Sequence, residues 1–273
     1  MSETVVPSID VVIPVYNAPV LTRRCIDSVV SCLGKSIENI YIQNDASNTE
    51  TREMLNSLPY DIIHIYHAIK NQGFGASVND AVSRSSASYI LVLNSDTEIN
   101  GNILPPLCEA MSVDSQLAVV IPASNDYVGE DFDRYLRQPG SYIRTYRLRG
   151  YAFLIRRSIF QEIGGFDPIF GRGYYEDIDL GRRIYERNWR IGVYPDSLIY
   201  HKGGGSFGRG STYRKLKQRN RALYFLRYPN AQRNVLFLSG ACSLSDFPQN
   251  LLNTIDDVYQ RGGVLHWLST EAV

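Results

Sequence analysis

The chain has 273 residues, and its 28 basic and 28 acidic side chains leave no net charge at neutral pH. This balance favours neither nucleic acid nor a membrane as a partner. A hydrophobic content of 44% is enough for a substantial core, whereas no apolar run reaches the roughly 18 residues of a membrane span. The polar N-terminus does not resemble a signal peptide and no CxxC pair indicates zinc, so we expect a cytoplasmic protein.

The first part of the chain alternates apolar runs with helical patterns. Continuous apolar runs predict strands at 9–15, 40–42, 62–66 and 89–93. The stretches between them predict helices at 21–33, 51–58 and 76–82. Strands that alternate with helices in this way form βαβ units and a parallel sheet. We therefore predict an α/β protein.

Polar side chains follow each of the four predicted strands. They are Asn17, Asn44 with Asp45, Asn71, and the run Asn94-Ser95-Asp96. Ligands of parallel sheets lie beyond the carboxyl ends of the strands. Four polar strand ends in register are hard to explain as solvated loops alone, so we place the binding site at this edge of the sheet.

The order of elements changes after Asp96. Helices are predicted at 103–111, 158–163 and 175–187, and strands at 118–121, 151–155, 190–194 and 198–200. We interpret the polar, irregular stretch 124–146 as a surface excursion, and a glycine-rich loop follows from 201 to 210.

Asp96 ends the fourth predicted strand. A carboxylate at a strand end can ligate a hard divalent cation, which in turn neutralises a diphosphate. The alternative is a turn that ends the strand and binds nothing. The three residues Asn94-Ser95-Asp96 do not decide between these interpretations by themselves.

Three carboxylates, Glu176, Asp177 and Asp179, lie in the first turn of the helix predicted at 175–187, directly after Gly171-Arg172-Gly173. The helix dipole favours acidic residues at this position, which explains one or two of them without any catalytic role. It explains less well why adjacent Glu and Asp follow a glycine hinge. We therefore treat Glu176 and Asp177 as candidates for proton transfer.

Together these motifs resemble inverting GT-A glycosyltransferases of family 2, and within them a bacterial rhamnosyltransferase-like branch, over about residues 8–228. The motifs that resemble the nucleotide-binding half of that family are Val12-Ile13-Pro14-Val15-Tyr16-Asn17, Asp45, Asn71-x-Gly73-x-Gly75-x-x-x-Asn79 and Asn94-Ser95-Asp96. The motifs that resemble its acceptor half are Gly164-Gly165-Phe166-Asp167, Glu176-Asp177-x-Asp179-Leu180-x-x-Arg183 and His201-x-x-Gly204-x-Ser206. The resemblance implies a Rossmann-like, mixed, mainly parallel sheet flanked by helices. It divides a domain at 1–230 into a nucleotide-binding half at 8–100 and an acceptor half at 101–230.

The resemblance also implies residue roles for an enzyme that moves a sugar from a UDP- or dTDP-sugar to a glycan or lipid-linked glycan in bacterial surface polysaccharide or glycoprotein glycan synthesis. Asp177 would be the catalytic base, with Glu176 assisting placement of the acceptor, and Asp96 with His201 would bind Mg²⁺ or Mn²⁺. The donor would be bound by a set of residues at the strand ends: Pro14, Tyr16, Asn17, Asp45, Asn71, Gly73, Asn79, Asn94 and Ser95. The loop at 203–208 would close over the donor and exclude water.

Two departures and two alternatives qualify this reading. Asn94 replaces the first acid of the usual DxD motif, and Asn44 stands where many relatives carry an acid, which leaves the choice between uridine and thymidine open. One alternative is a non-catalytic nucleotide-sugar-binding module of a larger enzyme. The other is a sugar-1-phosphate nucleotidyltransferase, which would need a glycine-rich, basic loop where this chain has Tyr16-Asn17-Ala18-Pro19.

Two segments near the C-terminus stand apart. Residues 209–233 carry eight Lys or Arg and no acid. They are either a basic amphipathic helix on anionic lipid, at the inner face of the membrane, or a helix that packs its apolar face on the domain, which we favour. Residues 231–273 predict a strand–helix–strand unit that resembles the start of a second, GT-B-like glycosyltransferase domain. We therefore expect further domains in a longer chain.

Overall fold

A computed structural model of the chain describes residues 7–125, 132, 136–203, 211–229, 231, 234–240, 247–260 and 264–269. Its strands are β1 (Ile9–Val15), β2 (Ile40–Asn44), β3 (Ile63–His67), β4 (Tyr89–Leu93), β5 (Thr97–Ile99), β6 (Leu117–Ser124), β7 (Ile143–Thr145), β8 (Ala152–Arg156), β9 (Arg190–His201), β10 (Asn234–Ser239) and β11 (Val264–Ser269). Its helices are α1 (Pro19–Leu33), α2 (Thr49–Asn56), α3 (Phe74–Val82), α4 (Leu104–Val113), α5 (Arg157–Ile163), α6 (Glu176–Glu186), α7 (Ser211–Arg227) and α8 (Gln249–Gln260).

One large sheet organises the first 201 residues, with strands in the order β3-β2-β1-β4-β8-β6-β9-β5 and β7 paired to β9. The first four strands are parallel, as predicted. Strand β8 lies between β4 and β6 and runs antiparallel to both, whereas β6 and β9 are parallel to each other. The predicted mixed, mainly parallel α/β sheet is confirmed.

The core forms where the sequence is continuously apolar. Every residue of β1 and β4 is buried, as expected for strands covered on both faces. Helix α1 turns Cys25, Ile26, Val29 and Leu33 into this core, a spacing that places them on one helical face. The described cysteines Cys25, Cys32 and Cys108 are free thiols, and Cys25 is buried.

The structure corrects the predicted second half in two places. The excursion at 124–146 contains strand β7, and the two strands predicted at 190–194 and 198–200 are one strand, β9, with an irregular register after Tyr194. Strand β5, which follows Asp96 directly, was not predicted. β5 and β7 have three residues each, too few for an alternating pattern to stand out.

Helix α7 packs one face on the domain, whereas its Leu226 side chain is exposed. Asn220 and Tyr224 are its buried residues, and Tyr224 belongs to a small core with Phe170. This arrangement agrees with the interpretation that we favoured for this basic segment. Within the described part of the chain, no helix has the length and apolarity to cross a membrane.

Strands β10 and β11 form a separate, parallel two-stranded sheet, with α8 packed against β11. The predicted strand–helix–strand unit is therefore present. The side chains of Leu236, Leu238 and Leu268 are each more than half exposed on this sheet.

Candidate active site

A cavity of about 680 Å³ opens at the carboxyl ends of the parallel strands. The ends of β1, β2, β4 and β9 and the start of α6 all contribute to its walls. It contains most of the predicted site residues: Pro14, Tyr16, Asp45, Asn71, Gly73, Asn94, Ser95, Asp96, Glu176, Asp177 and His201. The topology therefore brings the two halves of the predicted site together at one edge of the sheet.

Two predicted site residues, Asn17 and Asn79, are not among the residues that line the cavity. Asn17 accepts the backbone N–H of Asn48 through its Oδ1 atom at 2.9 Å. Asn79 donates to the carbonyl of Phe166 and accepts the N–H of the same residue, at 2.8 and 2.9 Å. Both side chains therefore hold the backbone of another loop by hydrogen bonds, Asn17 at Asn48 and Asn79 at Phe166.

Asp45 joins the end of β2 to the loop before α3. Its two carboxylate oxygens accept the backbone N–H groups of Gln72 and Gly73, each at 2.8 Å. The residue is almost completely buried but still contributes to the cavity wall. Asp45 therefore shapes the floor of the cavity by fixing the backbone at Gln72 and Gly73.

Asp96 and His201 face each other across two paired strands. The antiparallel ladder of β5 and β9 sets Thr97 opposite His201, and the Asp96 Oδ1 and His201 Nε2 atoms lie 3.4 Å apart. Asn125 holds the His201 backbone by two hydrogen bonds, at 2.6 and 2.9 Å. The ring of Tyr151 stacks on the imidazole with centroids 5.3 Å apart.

The chemistry of this pair fits a divalent cation. Adjacent ligands of an octahedral ion with bonds of about 2.1 Å lie about 3 Å apart, close to the separation of the two side-chain atoms. The described residues offer no group of three Asp, Glu, His or Cys side chains that would hold a metal by themselves. An ion held by Asp96 and His201 would therefore complete its shell with water or with oxygens of a bound ligand.

Glu176 and Asp177 enter the cavity from the first turn of α6. The backbone turn at residues 173–175, called here the 173–175 turn, precedes them. Tyr174 and Tyr175 both have left-handed φ angles, of 71° and 72°. For residues other than glycine this conformation costs about 1–2 kcal/mol each, so the turn is strained.

The two carboxyl groups have different protonation preferences. Burial raises the pKa of Glu176 to about 8, and the charge of Asp177 adds to this shift. Burial also raises the pKa of Asp177, but the N–H groups of Gly150 and Ile178 and the cation of Arg147 oppose the shift. Asp177 accepts the N–H groups of Gly150 and Ile178, whereas Glu176 has only its own backbone N–H to lower its pKa, so the proton is favoured on Glu176 over Asp177.

Asp179, the third acid in the first turn of α6, has a different function. Asp179 is fully buried and forms ion pairs with Arg183 at 2.7 Å and with Arg227 of α7 at 2.8 Å. Arg227 also pairs with Asp167 at 2.8 Å. Asp179 therefore connects α6 to α7 and does not belong to the cavity.

Three buried polar atoms of the described residues have no hydrogen-bond partner: Asn71 Oδ1, Ser77 Oγ and Glu176 Oε2. All three residues line the cavity. A buried polar group without a partner costs about 1–3 kcal/mol. The concentration of these atoms at one cavity indicates that a polar ligand binds there.

Sequence reasoning missed several residues of the cavity wall, chiefly Arg147, Arg149 and Tyr151 before β8, and Tyr213 and Lys217 on α7. The first three reach this edge because β8 is antiparallel, so that its start lies beside the ends of its parallel neighbours. The available signal in the sequence was the pair Arg147 and Arg149, which stands just before Gly150 and the predicted strand at 151–155. The predicted closing loop at 203–208 lies outside the described residues after Gly203, which lines the cavity.

The fold and this edge-of-sheet site define the class. The structure is similar to that of GalNAc-T7 with UDP, GalNAc and Mn²⁺, with a TM-score of 0.66 and 16% identity over 84% of this chain and 50% of that one. The chain thus has the GT-A fold. Residues 10–172 match Glycosyl transferase family 2, and the chain belongs to this family.

Two curated relatives agree with this assignment. Probable glycosyltransferase YdaM of Bacillus subtilis (strain 168) is 24% identical over 216 residues, which are 72% of this chain and 51% of YdaM. N-acetylglucosaminyl-diphospho-decaprenol L-rhamnosyltransferase of Mycobacterium tuberculosis is 39% identical over 62 residues, or 23% of this chain and 20% of that enzyme. The chain thus spans about half the length of YdaM and a smaller part of the rhamnosyltransferase.

Proposed function

We propose that the protein is an inverting, metal-dependent glycosyltransferase that moves a sugar from a nucleotide diphosphate to a glycan acceptor in bacterial surface polysaccharide or glycoprotein glycan synthesis. One observation carries this proposal. A single cavity contains the Asp96–His201 pair, the Glu176–Asp177 pair and three buried polar atoms without partners. The first pair suits a diphosphate with its cation, and the second suits an acceptor hydroxyl.

Asp96 and His201 would hold Mg²⁺ or Mn²⁺, which when bound neutralises the charge of the departing diphosphate. Asn125 and Tyr151 keep the imidazole of His201 in place for this task. Lys217, on the wall that α7 contributes, adds a positive charge near the same cavity. The diphosphate would therefore lie at the β4–β5 side of the cavity.

Asp177 would accept the proton of the acceptor hydroxyl as the sugar is transferred. The hydrogen bond from Gly150 orients this carboxyl group and favours its charged form against the effect of burial. Glu176, which is protonated at neutral pH, would donate a hydrogen bond that orients a substrate hydroxyl. A base opposite the leaving group favours a single in-line displacement, which inverts the anomeric carbon.

The relatives support the class of substrates. GalNAc-T7 was solved with UDP and Mn²⁺, and the mycobacterial relative acts on a diphospho-decaprenol lipid. We propose a UDP- or dTDP-sugar as the donor and a lipid-linked glycan as an acceptor, which places the protein in the cytoplasm at the inner face of the membrane. A non-catalytic module of a larger enzyme is the alternative, since the chain spans only about half of YdaM.

The test measures release of nucleotide diphosphate from UDP-, dTDP- and GDP-sugars in the presence of Mn²⁺. We expect Asp177→Asn to lower kcat by about 10²–10⁴-fold while donor KM changes little, because the base acts only in the transition state. We expect Asp96→Ala to raise the Mn²⁺ concentration that gives half-maximal activity. Asp196→Asn, at an exposed surface ion pair, is the matched control.

Release that neither Asp177→Asn nor Asp96→Ala alters would exclude the proposed mechanism. Donor binding by calorimetry without any turnover, also after addition of lipid-linked acceptors, would favour the non-catalytic module instead.

A further inference from the structure

The 173–175 turn needs an external restraint. It presents the Glu176–Asp177 pair, yet Tyr174 and Tyr175 hold left-handed φ angles that side chains disfavour. Gly173 has a φ of 148° and Gly171 one of 63°, so the segment is built from residues away from ordinary helix or strand geometry. A strained segment of this kind persists only where its surroundings fix it.

Helix α7 supplies that restraint through Asn220, which is completely buried. Its Nδ2 atom donates to the carbonyls of Phe170 and Gly173 at 2.7 Å each and to that of Tyr174 at 3.0 Å. One amide group thus satisfies the backbone on both sides of Gly171. A buried carbonyl without such a donor would lose its hydrogen bond to water with no replacement.

Aromatic contacts from the same helix hold the two tyrosines of the turn. Tyr213 meets Tyr174 edge to face with ring centroids 4.6 Å apart, and Tyr224 contacts Tyr175 at 5.5 Å. One helical turn beyond Tyr224, Arg227 pairs with Asp179 of α6. Helix α7 therefore contacts the chain on both sides of the carboxyl pair, at the 173–175 turn before it and at Asp179 after it.

Given the glycosyl transfer proposed above, we infer that Asn220 is a positioning residue that holds Glu176 and Asp177 in the cavity through the 173–175 turn. It acts through the turn, not on the substrate. If the turn relaxes, Asp177 moves away from the N–H of Gly150, and the charged and polar neighbours of the pair, Arg147 and Tyr174, change their distance from it. Misplacement of a catalytic group by about 1 Å can lower a rate about 100-fold.

The experiment compares Asn220→Ala and Asn220→Ser with two controls. Asn220→Ser keeps one hydrogen-bond donor in a smaller side chain and is the variant to use if Asn220→Ala does not fold. Gln218→Ala changes the exposed face of the same helix. Asn39→Ala removes an asparagine that donates to Asp10 at the amino end of β2, far from the cavity, and reports the effect of lost stability alone.

The first readout is steady-state release of nucleotide diphosphate below the thermal unfolding temperature of every variant. We expect Asn220→Ala to lower kcat about tenfold or more and Asn220→Ser to lower it less. Donor KM should change little, because the predicted donor-binding residues between Pro14 and Ser95 lie on the nucleotide-binding half. Asn39→Ala should lower Tm without lowering kcat. If the Asn220 variants behave like Asn39→Ala, the inference is overturned.

The second readout does not require turnover. Carbon-13 shifts of the Glu176 and Asp177 carboxyl groups are titrated in metal-free buffer and assigned with Glu176→Gln and Asp177→Asn. The titration midpoints should move in both Asn220 variants and stay fixed in Asn39→Ala and Gln218→Ala. If the midpoints move in the Asn220 variants but the wild-type protein releases no nucleotide, the proposed function is rejected and the positioning role is supported. If the wild-type protein is active and the Asn220 variants show neither moved midpoints nor a changed kcat, only the positioning role is rejected.

Discussion

At the scale of single residues, hydrogen-bond partners distinguish two adjacent acids of the cavity. Asp177 accepts backbone N–H groups from Gly150 and Ile178, whereas one oxygen of Glu176 is buried without a partner. Burial disfavours the charge on both groups, but these donors favour it on Asp177 rather than on Glu176. Such a pair can accept a proton and donate a hydrogen bond at the same pH.

The protonation of Glu176 predicts a pH-dependent stability. Its pKa rises from an ordinary 4.5 to about 8 in the folded chain. Between these values the folded state binds more protons than the unfolded state, so the free energy of unfolding falls as pH rises and levels off above about pH 8. Glutamine cannot ionise, so Glu176→Gln should gain stability over the wild type as pH rises, by a few kcal/mol in total.

Urea unfolding in metal-free buffer at about pH 5 and about pH 8.5 measures this difference. Glu186→Gln, at a surface pair with Arg182, should show no such trend. An equal effect of Glu176→Gln at both pH values would mean that Glu176 is already ionised in the folded protein.

The sequence motifs located these acids but did not show that Asp179 differs from the other two. Glu176, Asp177 and Asp179 form one acidic cluster in the sequence, while the structure separates Asp179 into ion pairs with Arg183 and Arg227. Arg183 lies four residues after Asp179 on the same helix, so the spacing in the sequence indicated that ion pair. Arg227 lies 48 residues away, and no local spacing reveals that contact.

At the scale of elements, the start of α3 depends on a close backbone approach. Gly73 caps this helix with a φ of 93°, and Asp45 holds its N–H. A Cβ atom at Gly73 would overlap the backbone of Gly171 and Arg172, next to the segment that Asn220 restrains. The two halves of the domain therefore touch at a position that only glycine fits.

Gly73→Ala should destabilise the protein by about 2–4 kcal/mol, because both the left-handed backbone and the overlap oppose it. Gly101→Ala is the matched control: Gly101 has a φ of 92° but no atom near its missing Cβ, so its loss should be about 1 kcal/mol. Denaturant unfolding compares the two variants, and donor KM should rise only for Gly73→Ala. Equal losses would show that the overlap relaxes freely.

Element prediction succeeded where apolar runs were long and continuous, as in β1 and β4, whose predicted bounds match the structure. It could not give the direction of β8, because a strand that is buried on both faces reads as a continuous apolar run whichever way it runs. That direction brings Arg147, Arg149 and Tyr151 to the cavity. The sequence likewise could not predict that α7 forms part of the cavity wall, because this depends on how the helix packs on the domain.

At the scale of the whole molecule, two sheets of very different size coexist. Among the residues that the structure describes, the larger has nine strands and the smaller has two, β10 and β11. A two-stranded sheet has marginal stability on its own. Because Leu236, Leu238 and Leu268 are exposed on the smaller sheet, we propose that the unit at 231–273 is the start of a further domain that covers them.

The difference in size predicts unequal amide exchange. Backbone amides of β1 and β4 should exchange only through global unfolding, whereas those of β10 and β11 should open at a much lower free energy. Hydrogen–deuterium exchange followed by mass spectrometry should thus label the β10–β11 segment at least about tenfold faster than β1. Similar protection of both sheets would argue that the small unit is stable as it stands.

The three residue pairs that join β5 to β9 have a consequence for insertions and deletions. Side chains alternate along β9, with Ile199 and His201 buried or half-buried and Tyr200 exposed. Deleting Tyr200 would shift the residues after it by one position and set the His201 side chain on the exposed face that Tyr200 now occupies, away from Asp96. Deleting one residue between 199 and 201 would therefore remove the imidazole from the site, although neither proposed ligand is substituted. The irregular stretch after Tyr194 can absorb a length change that the last three residues of the strand cannot.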